Sequence, residues 1–242
     1  MKIVARTDVG LLRDNNQDSY TACEIAGGAV LAVVCDGMGG AAEGALASST
    51  AVKLIRDRIA SGYHDGMSDL SIKSLLISAL ENANKEIYGL SLTDERFEGM
   101  GTTVVAAILT DKFVYIAHAG DSRAYMITNG SLVQLTRDHS VVQNMIENGE
   151  ITAAEAVNHP KKHIITRALG VDSEIKIDFC QEEFDDEEIL LLCTDGLTNF
   201  CKPDEVLKLT GDDAYFEYAE RLVNAANLNG GGDNITVVAV MK

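Results

Sequence analysis

The chain has 242 residues, 46% of them apolar, with 20 basic side chains against 37 acidic ones and a net charge of −17. That balance argues against a nucleic-acid or anionic-membrane partner, because neither would meet a basic face. No apolar run reaches roughly 18 residues and no charged-then-apolar leader opens the chain, so a soluble, cytoplasmic protein is expected.

The first buried strand is expected over 29–35, a short valine-rich apolar run. The period then changes. Leu46, Val52, Ile55 and Ile59 recur at helical spacing over 45–59. A second helix is expected over 71–90, where Ile72, Leu75, Leu76, Ala79, Leu80, Ala83 and Ile87 follow the i, i+3, i+4, i+7 pattern. Strands return over 102–109 and 113–118, flanking Thr110-Asp111-Lys112, and over 123–127 and 131–135, flanking Thr128-Asn129-Gly130. A weakly periodic stretch over 137–170 reads as a binding loop or lid. Strands over 175–179 and 188–193, a helix over 212–227 and a last strand over 234–241 complete the order. Hairpin runs with helices inserted in blocks indicate an α+β protein, with two sheets face to face and helices outside. Only Pro160 and Pro203 are prolines and no low-complexity linker occurs, so one domain over residues 1–242 is expected.

Cys23, Cys35, Cys180, Cys193 and Cys201 are odd in number and contain no C-x-x-C pair, which argues against a disulfide framework or a zinc site. The aspartates carry more. Asp36 opens Asp36-Gly37-Met38-Gly39-Gly40 after an apolar run, and Asp195 stands in Thr194-Asp195-Gly196 after another. Asp233 follows Gly230-Gly231-Gly232 and precedes a third. A strand end fixes a carboxylate, and glycine admits a ligand or a second backbone. Each pair alone is an ordinary turn signal; three of them, far apart in the chain, suggest one oxygen-rich site for hard divalent cations. Asp121, in Gly120-Asp121-Ser122-Arg123, is a further candidate whose bland reading is a self-capped turn. Arg13 and Asp18 lie in a polar stretch that reads first as a solvated loop, although Arg13 could offer its planar fork to a phosphate. The histidines read as structural. His159 and His163 have helical metal spacing, but Pro160 between them makes a regular helix doubtful. Neither Gly-x-Ser-x-Gly nor a P-loop is present.

Taken together these motifs resemble the metal-dependent protein serine/threonine phosphatases, the type 2C or PPM family, in their compact bacterial form. The resemblance runs from Thr7-Asp8-Val9-Gly10 through Gly101-Thr102-Thr103, Gly120-Asp121-Ser122-Arg123, Thr136-Arg137-Asp138-His139-Ser140, Thr166-Arg167-Ala168-Leu169-Gly170 and Thr194-Asp195-Gly196 to Gly232-Asp233-Asn234. It implies a central antiparallel β-sandwich flanked on both sides by pairs of helices. It also implies hydrolysis of phosphoserine and phosphothreonine in proteins, opposing a bacterial serine/threonine kinase, by a monomer. Two core Mn2+ or Mg2+ ions and a weaker third are implied as cofactors. By motif match, Asp36 would bridge the core ions and the Gly37 carbonyl would bind one. Asp195 and Asp233 would hold the other, and Asp121 the third. Arg13 would bind the substrate phosphate, Asp18 and Gln17 would support the metals' waters, and residues 137–165 would form a flap.

The implied chemistry is consistent physically. Carboxylates repel a phosphomonoester dianion, and two cations roughly 3.5–4 Å apart reverse that and ready a bridging hydroxide for in-line attack. Arg13 would share charge on the equatorial oxygens. Two positions depart from the pattern. Met38 stands where animal members carry a histidine proposed as the acid for the leaving oxygen, and Gln17 stands where many members carry glutamate. A regulatory phosphatase of sigma-factor antagonists and a phosphoprotein-binding pseudoenzyme are the competing readings. The first usually carries an added domain, and the second would be expected to lose metal-site carboxylates.

Overall fold

The computed structural model describes residues 1–212 and 214–242. Its strands are β1 (Lys2–Asp8), β2 (Asp18–Glu24), β3 (Val30–Met38), β4 (Gly101–Thr102), β5 (Val104–Leu109), β6 (Phe113–Ala119), β7 (Arg123–Thr128), β8 (Ser131–Gln134), β9 (Asp178–Glu183), β10 (Ile189–Cys193) and β11 (Ile235–Met241). Its helices are α1 (Ala41–Gly62), α2 (Asp69–Ser91), α3 (Val141–Glu147), α4 (Ala153–Ala156), α5 (Asp195–Thr198), α6 (Pro203–Leu209) and α7 (Tyr218–Leu228). One sheet has the order β1-β11-β10-β7-β8; the other has β2-β3-β5-β6-β9, with β4 beside β3. These pairings are antiparallel.

Strand β3 shows why the apolar runs are continuous. Leu31, Val33 and Cys35 face the helical layer and pack with Ile55, Ile59, Leu76 and Leu80. Val30, Ala32 and Val34 face the other sheet and pack with Leu190, Leu192, Val238 and Val240. A strand covered on both faces has no polar alternation. Beyond the second sheet, Leu191, Cys193, Val237 and Ala239 meet Leu222, Val223 and Ala226 of α7. The layers are therefore helix, sheet, sheet, helix, the α+β sandwich expected from the resemblance. The stripe expected on α2 is buried residue for residue, and Asn84 is buried with it. The Asn84 amide accepts from Gly170 N at 2.8 Å and donates to Asp172 O at 3.0 Å, tying the following loop to the helix.

The structure corrects several expected boundaries. The strand expected over 175–179 lies at Asp178–Glu183, because pairing with β6 begins at His118 opposite Asp178. Ile175 and Ile177 instead pack on the helical side of the core from the loop. The stretch over 137–170 contains α3 and α4. The helix expected over 212–227 begins at Tyr218, after a short 3-10 turn at Tyr215–Glu217, and Asp213 lies outside the described residues. Strands β1 and β2 and helices α5 and α6 are additions. Among the described residues no helix is long and apolar enough to cross a membrane.

Candidate metal and phosphate site

The alternation that fills the space between the sheets also builds the site. On β3 the side chains facing the opposite sheet are Val30, Ala32 and Val34, and the next on that face is Asp36. On β2 the row of Ala22 and Tyr20 ends at Asp18, directly opposite Asp36. On β10 and β11 the same rows end at Thr194 and Thr236, and just before β5 and β7 they end at Thr103 and Ser122. At one end of the sandwich the apolar filling thus gives way to a polar cap. Thr194 Oγ1 and Thr236 Oγ1 donate to Asp18 Oδ2 at 2.9 and 2.7 Å. Thr103 Oγ1 accepts from Asp36 N at 3.0 Å and meets Ser122 Oγ at 2.7 Å.

Above this cap lies a cleft of about 810 Å³ lined by Arg13, Gln17, Asp36, Asp121, Asp195 and Asp233. The Gly37 backbone also lines it. The candidates named from the sequence therefore converge, with Asp18 just beneath. Asp18 does not lie in a solvated loop; it opens β2 and is 8% exposed. Glycines permit the convergence. A Cβ on Gly37 would stand 2.1 Å from Gly44 O of α1, and one on Gly196 would stand 1.9 Å from Asn234 O. Asn234, quoted in a motif but given no role from the sequence, holds three segments together. Its Nδ2 donates to Val9 O and Asn15 O at 2.8 and 2.9 Å, and its Oδ1 accepts from Gln17 N at 2.8 Å. Gln17 Nε2 donates to Gly40 O at 2.8 Å, so its amide is anchored at the cleft rim. Asn199, also unforeseen, donates to Asp195 Oδ2 at 2.9 Å. Arg13 Nη2 reaches Asp233 Oδ2 at 2.9 Å while its side chain stays half exposed.

The electrostatics call for cations. Burial raises Asp18 to about 7 against the pull of its two threonine hydroxyls, and the charges of Asp195 and Asp233 add to the rise. Burial followed by Asp195 and Asp138 raises Asp121 to about 7. Burial, then Asp18 and Asp195, pushes Asp36 far above the ordinary range, and burial with Asp233 raises Asp195. Asp18 Oδ1 and Asp195 Oδ1 are buried without a hydrogen-bond partner. Buried carboxylate oxygens are expensive to leave unpaired. The donor set is all oxygen, which suits Mg2+ or Mn2+ and not a soft metal. These residues therefore fit the ions that the resemblance implies.

The segment over 137–165 leaves the body beside Asp121 and returns at Arg167. Its root is clamped by His139, which donates from N to Gly120 O at 2.9 Å and accepts Gly120 N at Nδ1 at 3.1 Å. With Nδ1 accepting, Nε2 carries the proton and faces Asp178 Oδ2 at 3.1 Å. Arg167 Nη1 donates to Asp178 Oδ1 at 2.8 Å. His118 stacks on His139, with centroids 4.8 Å apart and planes 5° from parallel. Burial lowers both histidines, His139 to about 4. His118, His139 and Asp178 are near enough to suggest a cation site. Parallel rings aim their lone pairs along separate planes, however, and Arg167 already lies 2.9 Å from His139 Nε2. The group is a clamp, in agreement with the structural reading of these histidines.

A family model, described as Protein phosphatase 2C, matches residues 13–234. The serine/threonine phosphatase Stp of Listeria monocytogenes is 39% identical over 241 residues, spanning 98% of this chain and 94% of that protein. The solved serine/threonine phosphatase of S. agalactiae superposes with a TM-score of 0.93 at 32% identity, covering all of this chain and 99% of that one. The catalytic domain of the serine threonine protein phosphatase PstP, solved in complex with two manganese ions, superposes with a TM-score of 0.85 at 31% identity, covering 98% of this chain and 96% of that one.

Proposed function

Because this chain belongs to the protein phosphatase 2C family and is a protein serine/threonine phosphatase, we propose that its acidic cleft hydrolyses phosphoserine and phosphothreonine with two core Mn2+ or Mg2+ ions and a weaker third. The observation that carries the ion requirement is the pair of buried, unpartnered oxygens, Asp18 Oδ1 and Asp195 Oδ1, among carboxylates raised first by burial and then by mutual repulsion. Asp36 and the Gly37 carbonyl, with Asp195 and Asp233, would hold the core ions, and Asp121 the third. When bound, such ions neutralise the phosphate dianion, activate water toward phosphorus, and acidify water that can protonate the departing serine or threonine oxygen.

The chain's own residues do the positioning. Thr194 and Thr236 hold Asp18 by one oxygen and leave the second buried without a hydrogen-bond partner. Gln17, fixed through Gly40 and Asn234, presents a neutral amide where a charge would add to the repulsion. Arg13 has the reach and the planar fork to exchange Asp233 for a substrate phosphate, sharing charge on its equatorial oxygens. Met38 lines the cleft and has no proton to give. The reaction breaks the bond between phosphorus and the side-chain oxygen and replaces it with one from water. We further propose that residues 1–242 act as one catalytic domain opposing a serine/threonine kinase.

The test is phosphate release from a phosphothreonine peptide with Mn2+, with EDTA, and with Asp36→Ala. Activity is expected only in the first case. Full turnover in metal-free buffer would overturn the reading.

A further inference from the structure

The flap carries apolar residues that join no core. Helix α3 buries no residue, although Val141, Val142, Met145 and Ile146 lie along it. Helix α4 buries only Ala156, and Val157 at its end is 63% exposed. None of these residues belongs to the three apolar clusters of the body among the described residues. Val142 and Ile146, four apart on one face of α3, line a groove of about 330 Å³ together with Ala153 and Val157. The facing wall is the bidentate pair of Arg123 and Asp138, whose Nη2 and Oδ2 are 2.6 Å apart. That pair cancels its own charge. The groove is continuous with the catalytic cleft, since Asp121, Lys162, Asp195 and Asn199 line both.

We propose that this groove is a subsite for the polypeptide flanking the phosphoresidue and that it takes an apolar side chain of leucine or isoleucine size. The proposal rests on the phosphatase reading above. A phosphoresidue seated over the aspartates must lead its own chain out of the cleft, and the groove is a mostly polar exit in which Val142, Ile146, Ala153 and Val157 supply an apolar wall on the flap side. The side chains of Val142, Ile146, Ala153 and Val157 offer a carboxylate no hydrogen-bond partner, so an acidic neighbour of the phosphoresidue loses its hydration against them without compensation while an apolar one does not. A hydrophobic pocket distinguishes side chains differing by a few methylenes by roughly tenfold or more.

The experiment compares kcat/KM in Mn2+ for phosphothreonine peptides in which each flanking position in turn is alanine, leucine or aspartate. p-Nitrophenyl phosphate, too small to reach the groove, is the control. The proteins are the unaltered chain, Val157→Asp and Val142→Ser, each checked for fold by circular dichroism. At one flanking position leucine is expected to exceed alanine about tenfold, with aspartate below both. Both variants should erase that preference through KM while p-nitrophenyl phosphate turnover stays the same. The proposal is overturned if no position prefers leucine, if the preference survives both variants, or if both substrates lose activity in parallel. It is also overturned if the variants alter only self-association, which would make a second copy of the chain the occupant. Failure of the unaltered protein on every substrate would instead sink the phosphatase reading beneath it.

Discussion

Removing the ions should make the stability of this protein depend on pH in a specific direction. Asp18 and Asp121 are raised from 3.8 to about 7 in the metal-free site, chiefly by burial. A carboxyl raised in the folded state favours folding while it is protonated, so its contribution is complete below pH ~4 and disappears as pH climbs to ~7. One such group, shifted by roughly 3 units, is worth about 4 kcal/mol over that window. The two groups share a site, so their contributions should not simply be summed. His118 and His139 work the other way, because both are lowered by burial and lose stability as pH falls. Their effect is present with or without ions, and the difference between the two conditions removes it. The measurement is urea unfolding at pH 5, 6, 7 and 7.5, in EDTA and in saturating Mn2+. The stabilisation by Mn2+ should be smallest at pH 5 and grow by about 1.4 kcal/mol per pH unit for each proton displaced. Asp36→Asn should cut it at every pH. A Mn2+ increment that is constant or shrinking from pH 5 to 7.5 would refute the charge assignment of the cleft.

Two further outcomes follow from contacts around the site. Gly37→Ala places a methyl 2.1 Å from a backbone oxygen of α1, which must retreat; the expected cost is about 1–3 kcal/mol by urea midpoint, with loss of Mn2+ affinity by calorimetry. His139→Ala removes the acceptor for Gly120 N and the partner of Asp178, and should destabilise by about 1–3 kcal/mol. Limited proteolysis should then cut faster within 141–165 than elsewhere, and cleavage unchanged in place and rate would refute the clamp.

The parts readable from the sequence were those with strong local periodicity. Ile72 to Ile87 form a one-sided stripe because α2 covers a sheet on one face only, and 29–35 is uniformly apolar because β3 is covered on both. Strands β1 and β2 lie at the sheet edges, where exposed or half-buried positions such as Arg6, Thr7 and Thr21 are freely polar, so no run marks them. Ile175 and Ile177 look like a strand because they alternate with polar residues, but they pack half-buried against the core from a loop. The acidic positions stood out by their glycine neighbours. Their support did not: the Asp18 tie to Thr194 and Thr236 depends on which strands lie side by side, and no local pattern carries that. Asn199 and Asn234 are likewise visible only once distant segments meet.

Asp18 takes its two hydroxyl partners from positions 176 and 218 residues further along the chain. During synthesis, therefore, every earlier part of the polypeptide can leave the ribosome and begin to fold while the active centre still lacks its last supports. Only β11 and the turn before it, bringing Asp233, Asn234 and Thr236, complete the arrangement. A nascent copy of this enzyme is consequently expected to be inert toward its neighbours' phosphates until the strand that carries Thr236 has been made.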